Sequence, residues 1–281
     1  MTTVGVLGPG AVGGALAVPL SLAGHRVTCV ARPETAAAIR RDGLTLVRDG
    51  AELHARPEAV DHLSEPLDVL LVTVKAPALS KALERIEAAV GVTLPLLNGI
   101  EHMEALRAGA EGAVVAATVG RLEAYREGPT RIIQATAPML VTVAAGANDA
   151  PATLGVSGID VRVDGSEQDV LWEKLARLAP LAALTAATQR SVGELRSDPR
   201  LRAGVEEACA VASADGASTT VSDQWAIIEA MPDLLTTSTA RDIAAGRPSE
   251  LDAIAGAVVR AGSRLGVPTP ILEELIGLCR A

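Results

Sequence analysis

Gly8, Gly10 and Gly13, in Gly8-Pro9-Gly10-Ala11-Val12-Gly13, carry the G-x-G-x-x-G spacing with which a backbone wraps a diphosphate. The first glycine permits a tight turn, the second lets the backbone approach the pyrophosphate, and the third lets helix and strand pack closely. The amides opening the following helix, from Ala11 and Val12 onward, then face the phosphates with the positive end of the helix dipole. A dinucleotide cofactor is the expectation. Which one is read at the end of the next strand, Cys29-Val30-Ala31-Arg32-Pro33. An acid there would hydrogen-bond a ribose 2′-hydroxyl and repel a 2′-phosphate, whereas Arg32 can grip a phosphate through a charge-assisted fork. Arg32 therefore argues for NADP, the alternative being a solvated arginine with Glu34 serving NAD. Lys75, just past the apolar run Val69–Val74, adds a second candidate cation or a merely solvated one.

Lys174 lies three residues after Leu171 and four before Leu178, at the margin of an apolar helical stripe. A lysine held there either snorkels to the surface or serves a site, where an ammonium can stabilise a developing alkoxide and deliver its proton. Asn98-Gly99 follows another strand at the ligand-binding edge of the sheet, although it is also a common turn dipeptide. Glu250 and Asp252 stand in the first turn of a helix that Ser249 is placed to cap, which is reason enough for acids there. His102, about one helical turn past Asn98, leaves a histidine-driven dehydrogenase as a weaker alternative.

These residues need a scaffold, and the pattern supplies one. Val4–Leu7 and Arg26–Val30 flank a helical stretch, Ala11–Ala23, making a βαβ unit. Further strand-like runs are Leu44–Val47, Val69–Val74, Val92–Leu96 and Val114–Thr118, with a helix-like segment at Ala76–Val90. Arg131–Ala135 and Met139–Val143 read as a hairpin, followed by Val161–Val163. Beyond Gly165 helical periodicity takes over, as at Leu171, Leu175 and Leu178 and again at Leu251, Ile254, Val258 and Leu265. The fold class expected is α/β: a Rossmann-type dinucleotide-binding domain over residues 1–165, then an all-helical domain over 166–281.

Composition narrows the partners. With 49% hydrophobic residues, 1% aromatics and no Phe, the core must be built from Ala, Val and Leu. A net charge of −9 argues against nucleic acid while permitting a small anion met by a local cation. The apolar stretch Val4–Leu22 is broken by glycines and prolines and reads as neither signal peptide nor membrane span. Cys29, Cys209 and Cys279 lie far apart without metal-ligand spacing, so no metal is expected and a reducing, cytoplasmic setting is.

The ordered motifs resemble the ketopantoate reductases (2-dehydropantoate 2-reductases) over nearly the whole chain. They are the glycine loop, Arg32, Lys75, Leu97-Asn98-Gly99, Trp172-Glu173-Lys174-Leu175, Ser238 through Asp242, Ser249-Glu250-Leu251-Asp252 and the closing Leu265-Gly266-Val267-Pro268-Thr269-Pro270. The resemblance implies NADPH-dependent reduction of a 2-oxo acid to the 2-hydroxy acid and a place in pantothenate biosynthesis, and a homodimer is compatible with it. By position it makes Lys174 the general acid, Glu250 a substrate-binding carboxylate, Asn98 an asparagine serving cofactor and substrate, and Ser238 a contact for the substrate carboxylate. The chain departs from the family pattern where asparagines often follow the lysine by one and two turns. Leu178 and Ala182 stand there, and Leu235 stands before the serine segment. A more apolar pocket is expected, with fewer partners for a substrate hydroxyl. Another hydroxyacid dehydrogenase of the superfamily and a non-catalytic NADP sensor are the alternatives.

Overall fold

The computed structural model describes residues 1–279. It divides into two compact units, one of Met1–Leu97 with His102–Glu167, the other of Asn98–Glu101 with Gln168 onward. The division thus falls just after the expected residue 165, and the segment Asn98–Glu101 belongs with the helical unit rather than the sheet unit.

In the first unit six parallel strands run in the order Glu58–Val60, Arg26–Val30, Thr3–Leu7, Leu67–Val72, Val90–Pro95, Ala113–Val114. In chain order this is the 3-2-1-4-5-6 arrangement of dinucleotide-binding sheets, whose ligand crevice opens at the carboxyl ends where the order reverses. The reversal lies between Thr3–Leu7 and Leu67–Val72, so the residues following them, Gly8 and Thr73, meet there.

Helix Ala11–Leu22 is buried from Gly13 to Leu20. It contacts the six-stranded sheet and also strands Leu44–Arg48 and Ala51–Ala55 of a second, four-stranded sheet. A helix covered on two sides has no polar face to show, which is why its sequence is apolar all round. Gly14 serves this packing, since a Cβ there would lie 2.6 Å from Ile132 Cδ1. Among the described residues no helix is long and apolar enough to cross a membrane.

Several expected elements change. Leu44–Arg48 lies outside the main sheet, pairing antiparallel with Ala51–Ala55 and parallel with Arg131–Gln134. Arg131–Gln134 and Met139–Val143 are not a hairpin but sit in different sheets, the latter between Ala117–Gly120 and Ile159–Val163. The run at Val114–Thr118 likewise splits between two sheets. The helix expected over Ala76–Val90 is only a 3₁₀ turn, Ala76–Ala78, and a short helix, Leu79–Leu83.

The helical unit is built on the 22-residue helix Glu167–Thr188. Trp172, 1% exposed, is its anchor, filling the core with its ring while Nε1 donates to Asp215 Oδ2 at 2.8 Å. Gly204 of helix Pro199–Ala214 comes so close to Pro180 that a Cβ would lie 2.8 Å from the proline's own. The helix from Leu251 to Leu265 does not start as expected. Its first turn, Asp252–Gly256, is wound as π-helix, and among the described residues no side chain caps it, so Ser249 is not its N-cap. Such π turns often mark functional sites.

Candidate active site

In the sheet unit the glycine loop is a rigid cradle. Gly8 sits at φ +88°, its N–H donates to Val30 O at 3.0 Å, and a Cβ there would strike Val74 Cγ1 at 2.4 Å. A Cβ on Gly13 would lie 2.4 Å from Thr73 Oγ1 and 2.6 Å from Gly8 O. Gly10 differs: a Cβ there would meet, among the described residues, nothing nearer than Gly8 O at 3.8 Å. Internal packing explains the glycines at 8 and 13 but not the one at 10. A bare Cα there leaves the backbone open to close approach from outside the loop. Helix Ala11–Leu22 opens with no side-chain cap and no acid in its first turn among the described residues. The amides of Ala11, Val12 and Gly13 therefore point where a diphosphate would satisfy them. Thr73 carries no signal in the sequence, yet its hydroxyl donates to Gly8 O at 2.8 Å and Leu7 O at 3.1 Å and so fastens the start of the loop.

Arg32 ends this strand–loop system as the residue before Pro33, which opens helix Pro33–Asp42. It is exposed and pairs with Glu34 at 3.2 Å. Lys75 is also exposed, its carbonyl accepting from Ala78 N at the start of the 3₁₀ turn. His102 is buried in the first turn of helix His102–Gly109, in the sheet unit.

Within the helical unit three predicted residues come together. Lys174 Nζ donates to Asn98 Oδ1 at 2.8 Å, and Asn98 Nδ2 donates to Glu250 Oε2 at 3.2 Å. An ammonium only donates and a carboxylate only accepts, so the asparagine amide has one orientation that serves both. Lys174 is half-buried and Glu250 buried. Burial, with a smaller push from the Arg177 guanidinium, lowers the Lys174 pKa to about 8, while Glu250 pulls it the other way. Arg177 is itself steered by Gln224, whose Oε1 accepts from Nη1 at 2.9 Å. An amine held by a hydrogen bond and exchanging its proton near pH 8 suits general acid–base work on a carbonyl or alcohol.

Two further residues are placed differently. Ser238 is exposed at the start of helix Ser238–Ala244, and no hydrogen bond among the described residues ties it to the trio. Its neighbour Thr237 caps that helix and shares a 2.7 Å hydrogen bond with Thr185 of the lysine's helix. Of the three apolar replacements, Ala182 is fully buried in the helical core and lines nothing. Leu178 and Leu235 are partly buried against the same core and keep an open face.

Comparison with known proteins agrees over both units. Residues 4–148 match the family model for ketopantoate reductase PanE/ApbA, and residues 168–281 match the one for its C-terminal part. The chain is 31% identical over 291 residues to the 2-dehydropantoate 2-reductase of Mycobacterium tuberculosis H37Rv, covering 100% of this chain and 97% of that one. It is 31% identical over 295 residues to the enzyme of that name from Caulobacter vibrioides, covering 100% and 99%. Among solved structures, a PanE/ApbA family ketopantoate reductase from Ralstonia eutropha JMP134 superimposes with a TM-score of 0.87 at 30% identity, covering 99% of this chain and 97% of that one.

Proposed function

The chain belongs to the ketopantoate reductase family, and on that premise we propose that it reduces a branched 2-oxo acid, ketopantoate or a close analogue, to the 2-hydroxy acid with NADPH. The observation that carries this reading is the run of hydrogen bonds from Lys174 through Asn98 to Glu250.

The cradle of Gly8, Gly10, Ala11, Val12 and Gly13 fits a dinucleotide, with Arg32 for the 2′-phosphate and Lys75 as an additional cation. When bound, the nicotinamide supplies the hydride that goes to the carbonyl carbon. The carbonyl oxygen, left with the electron pair, takes a proton from Lys174 Nζ, and the neutral amine regains one from water. Asn98 fixes the direction of Nζ, and Glu250 holds Asn98 and offers its carboxylate to a substrate hydroxyl. Ser238, at the start of its helix, is assigned to the substrate carboxylate.

A proton donor with a pKa of about 8 is charged below that pH and spent above it. Reductive turnover is expected to fall as pH rises through about 8, one proton being lost. Arg177→Gln removes the neighbouring cation that lowers this pKa, so its descending limb should lie at higher pH than the native one. A limb that does not move, or moves down, contradicts the assignment of that limb to Lys174.

Substrate choice follows from what faces the hydroxyl. Leu178 and Leu235 offer it nothing, leaving Glu250 as the one polar partner assigned to it. A hydrogen bond to a charged group contributes about 1.5–3 kcal/mol, roughly 10- to 150-fold. The valine-derived 2-oxo acid, which lacks the hydroxyl, should therefore be reduced with kcat/KM below ketopantoate's by no more than about 150-fold. NADPH oxidation across a panel of 2-oxo acids tests both statements. A preference for ketopantoate of several thousandfold overturns the second. NADPH binding with no oxidation on any acid would overturn the first and favour a sensor.

A further inference from the structure

Residues 98–101 form an irregular loop, and each of them is fastened to the helical unit. Asn98 reaches Glu250. Gly99, at φ +94°, lies so close to the π turn that a Cβ would sit 2.3 Å from Ala253 O. Ile100 packs on the helical core. Both carboxylate oxygens of Glu101 accept from Arg260, Oε1 from Nε and Oε2 from Nη2, each at 2.7 Å. Arg260 also reaches Asp252, through Nη1 to Oδ1 at 3.1 Å and Nη2 to the main-chain oxygen at 3.0 Å. It thereby ties the last residue of the loop to the first residue of the π turn, two positions after Glu250. Gly256 leaves room for this arrangement, since a Cβ there would lie 2.9 Å from Asp252 Oδ1 and 3.1 Å from Arg260 Nη1.

We propose that Arg260 is a positioning residue for the reaction, setting through Glu101 and Asp252 the placement of Asn98 against Glu250 and hence the aim of Lys174. The proposal rests on the reading of Lys174, Asn98 and Glu250 as the reacting site. The competing idea is an ordinary surface ion pair, since Arg260 and Glu101 side chains are 43% and 46% exposed and such pairs stabilise little. That same exposure makes the two separable: the fold loses little when the pair is broken, whereas a small misplacement of a reacting group costs rate heavily.

The test is a double-mutant cycle on turnover of the full chain. Arg260→Met should lower kcat about five- to thirtyfold, with NADPH affinity and Tm near native. Glu101→Gln, which keeps the side chain's size, should act in the same direction to a smaller extent. In an Asn98→Ala background, Arg260→Met should add less than about twofold, because the residue it positions is gone. Losses that multiply across the cycle, or a native kcat in Arg260→Met, overturn the proposal while leaving the site reading intact. A native kcat in Asn98→Ala overturns the site reading, and this proposal with it.

Discussion

Lys174→Ala is expected to lower kcat by about 10²–10⁴-fold, the usual scale for losing a general acid, while NADPH still binds. The two effects separate because the lysine belongs to the helical unit and the glycine cradle to the other. Loss of activity through unfolding is the alternative to exclude, and the lowered pKa of the lysine speaks against it. The native lysine's pKa is lowered from 10.5 to about 8 on folding. The unfolded chain therefore holds this proton more tightly, and the partly desolvated ammonium costs stability at neutral pH. That cost fades as pH rises from about 8 towards 10.5. Alanine removes it and is also the best helix former, so the variant should melt no more than about 4 °C below native. Lys174→Arg should rescue poorly, because a guanidinium does not release its proton in this range. Steady-state kinetics, a cofactor titration and a melting curve on the same preparation decide the matter. Near-native turnover in Lys174→Ala would make the residue a snorkelling lysine and remove the mechanism.

Much of this was legible in the sequence, and the reason differs from residue to residue. The glycine loop could be read because its spacing is distinctive and local sterics demand glycine at 8 and 13, whereas nothing within the chain demands it at 10 among the described residues. Lys174 showed itself by lying at the edge of an apolar stripe, but spacing could not tell a snorkelling lysine from an aimed one. What settled its environment was Asn98, 76 residues away, and Glu250, 152 residues beyond Asn98. Thr73 and Arg260 left no comparable signal. A threonine after a strand and an arginine on a helix are ordinary until the chain brings Gly8 and Glu101 to them. The mispaired strands have the same origin. Arg131–Gln134 and Met139–Val143 are each recognisable as strands from β-branched content, yet nothing in that content says which neighbour each will hydrogen-bond. The second sheet also changed the meaning of the apolar helix Ala11–Leu22, whose uniform hydrophobicity is that of a helix covered on both sides. The opening of the helix that ends at Leu265 is not legible in the sequence, because a serine followed by acids is a capping signal, whereas the chain begins that helix with a π turn.

Arg32→Ala is expected to abolish the preference for NADPH over NADH. Removing a charge-assisted contact to the 2′-phosphate costs about 1.5–3 kcal/mol, roughly 10- to 150-fold in affinity. The structure adds a second actor. Arg32 is paired with Glu34 at 3.2 Å, both side chains about two-thirds exposed. A solvent-exposed pair of this kind contributes at most about 1 kcal/mol, so a phosphate dianion can take the guanidinium from the carboxylate at small cost. Once Arg32 is gone, Glu34 remains without its partner beside the same strand end. It would then repel the 2′-phosphate and accept a ribose hydroxyl, the role an acid plays in NAD sites. The single variant should therefore pass beyond indifference towards NADH, and Arg32→Ala/Glu34→Ala should bind the two cofactors about equally. Because these groups lie in water, the native preference should also shrink with salt, most of it between low ionic strength and about 1 M. Fluorescence titration of both cofactors against the native chain and the two variants reads all of this. Equal affinity of the native protein for NADPH and NADH would show that Arg32 does not select the cofactor. An Arg32→Ala single variant that still favours NADPH by the native margin would place the 2′-phosphate on another cation, with Lys75 the first to replace.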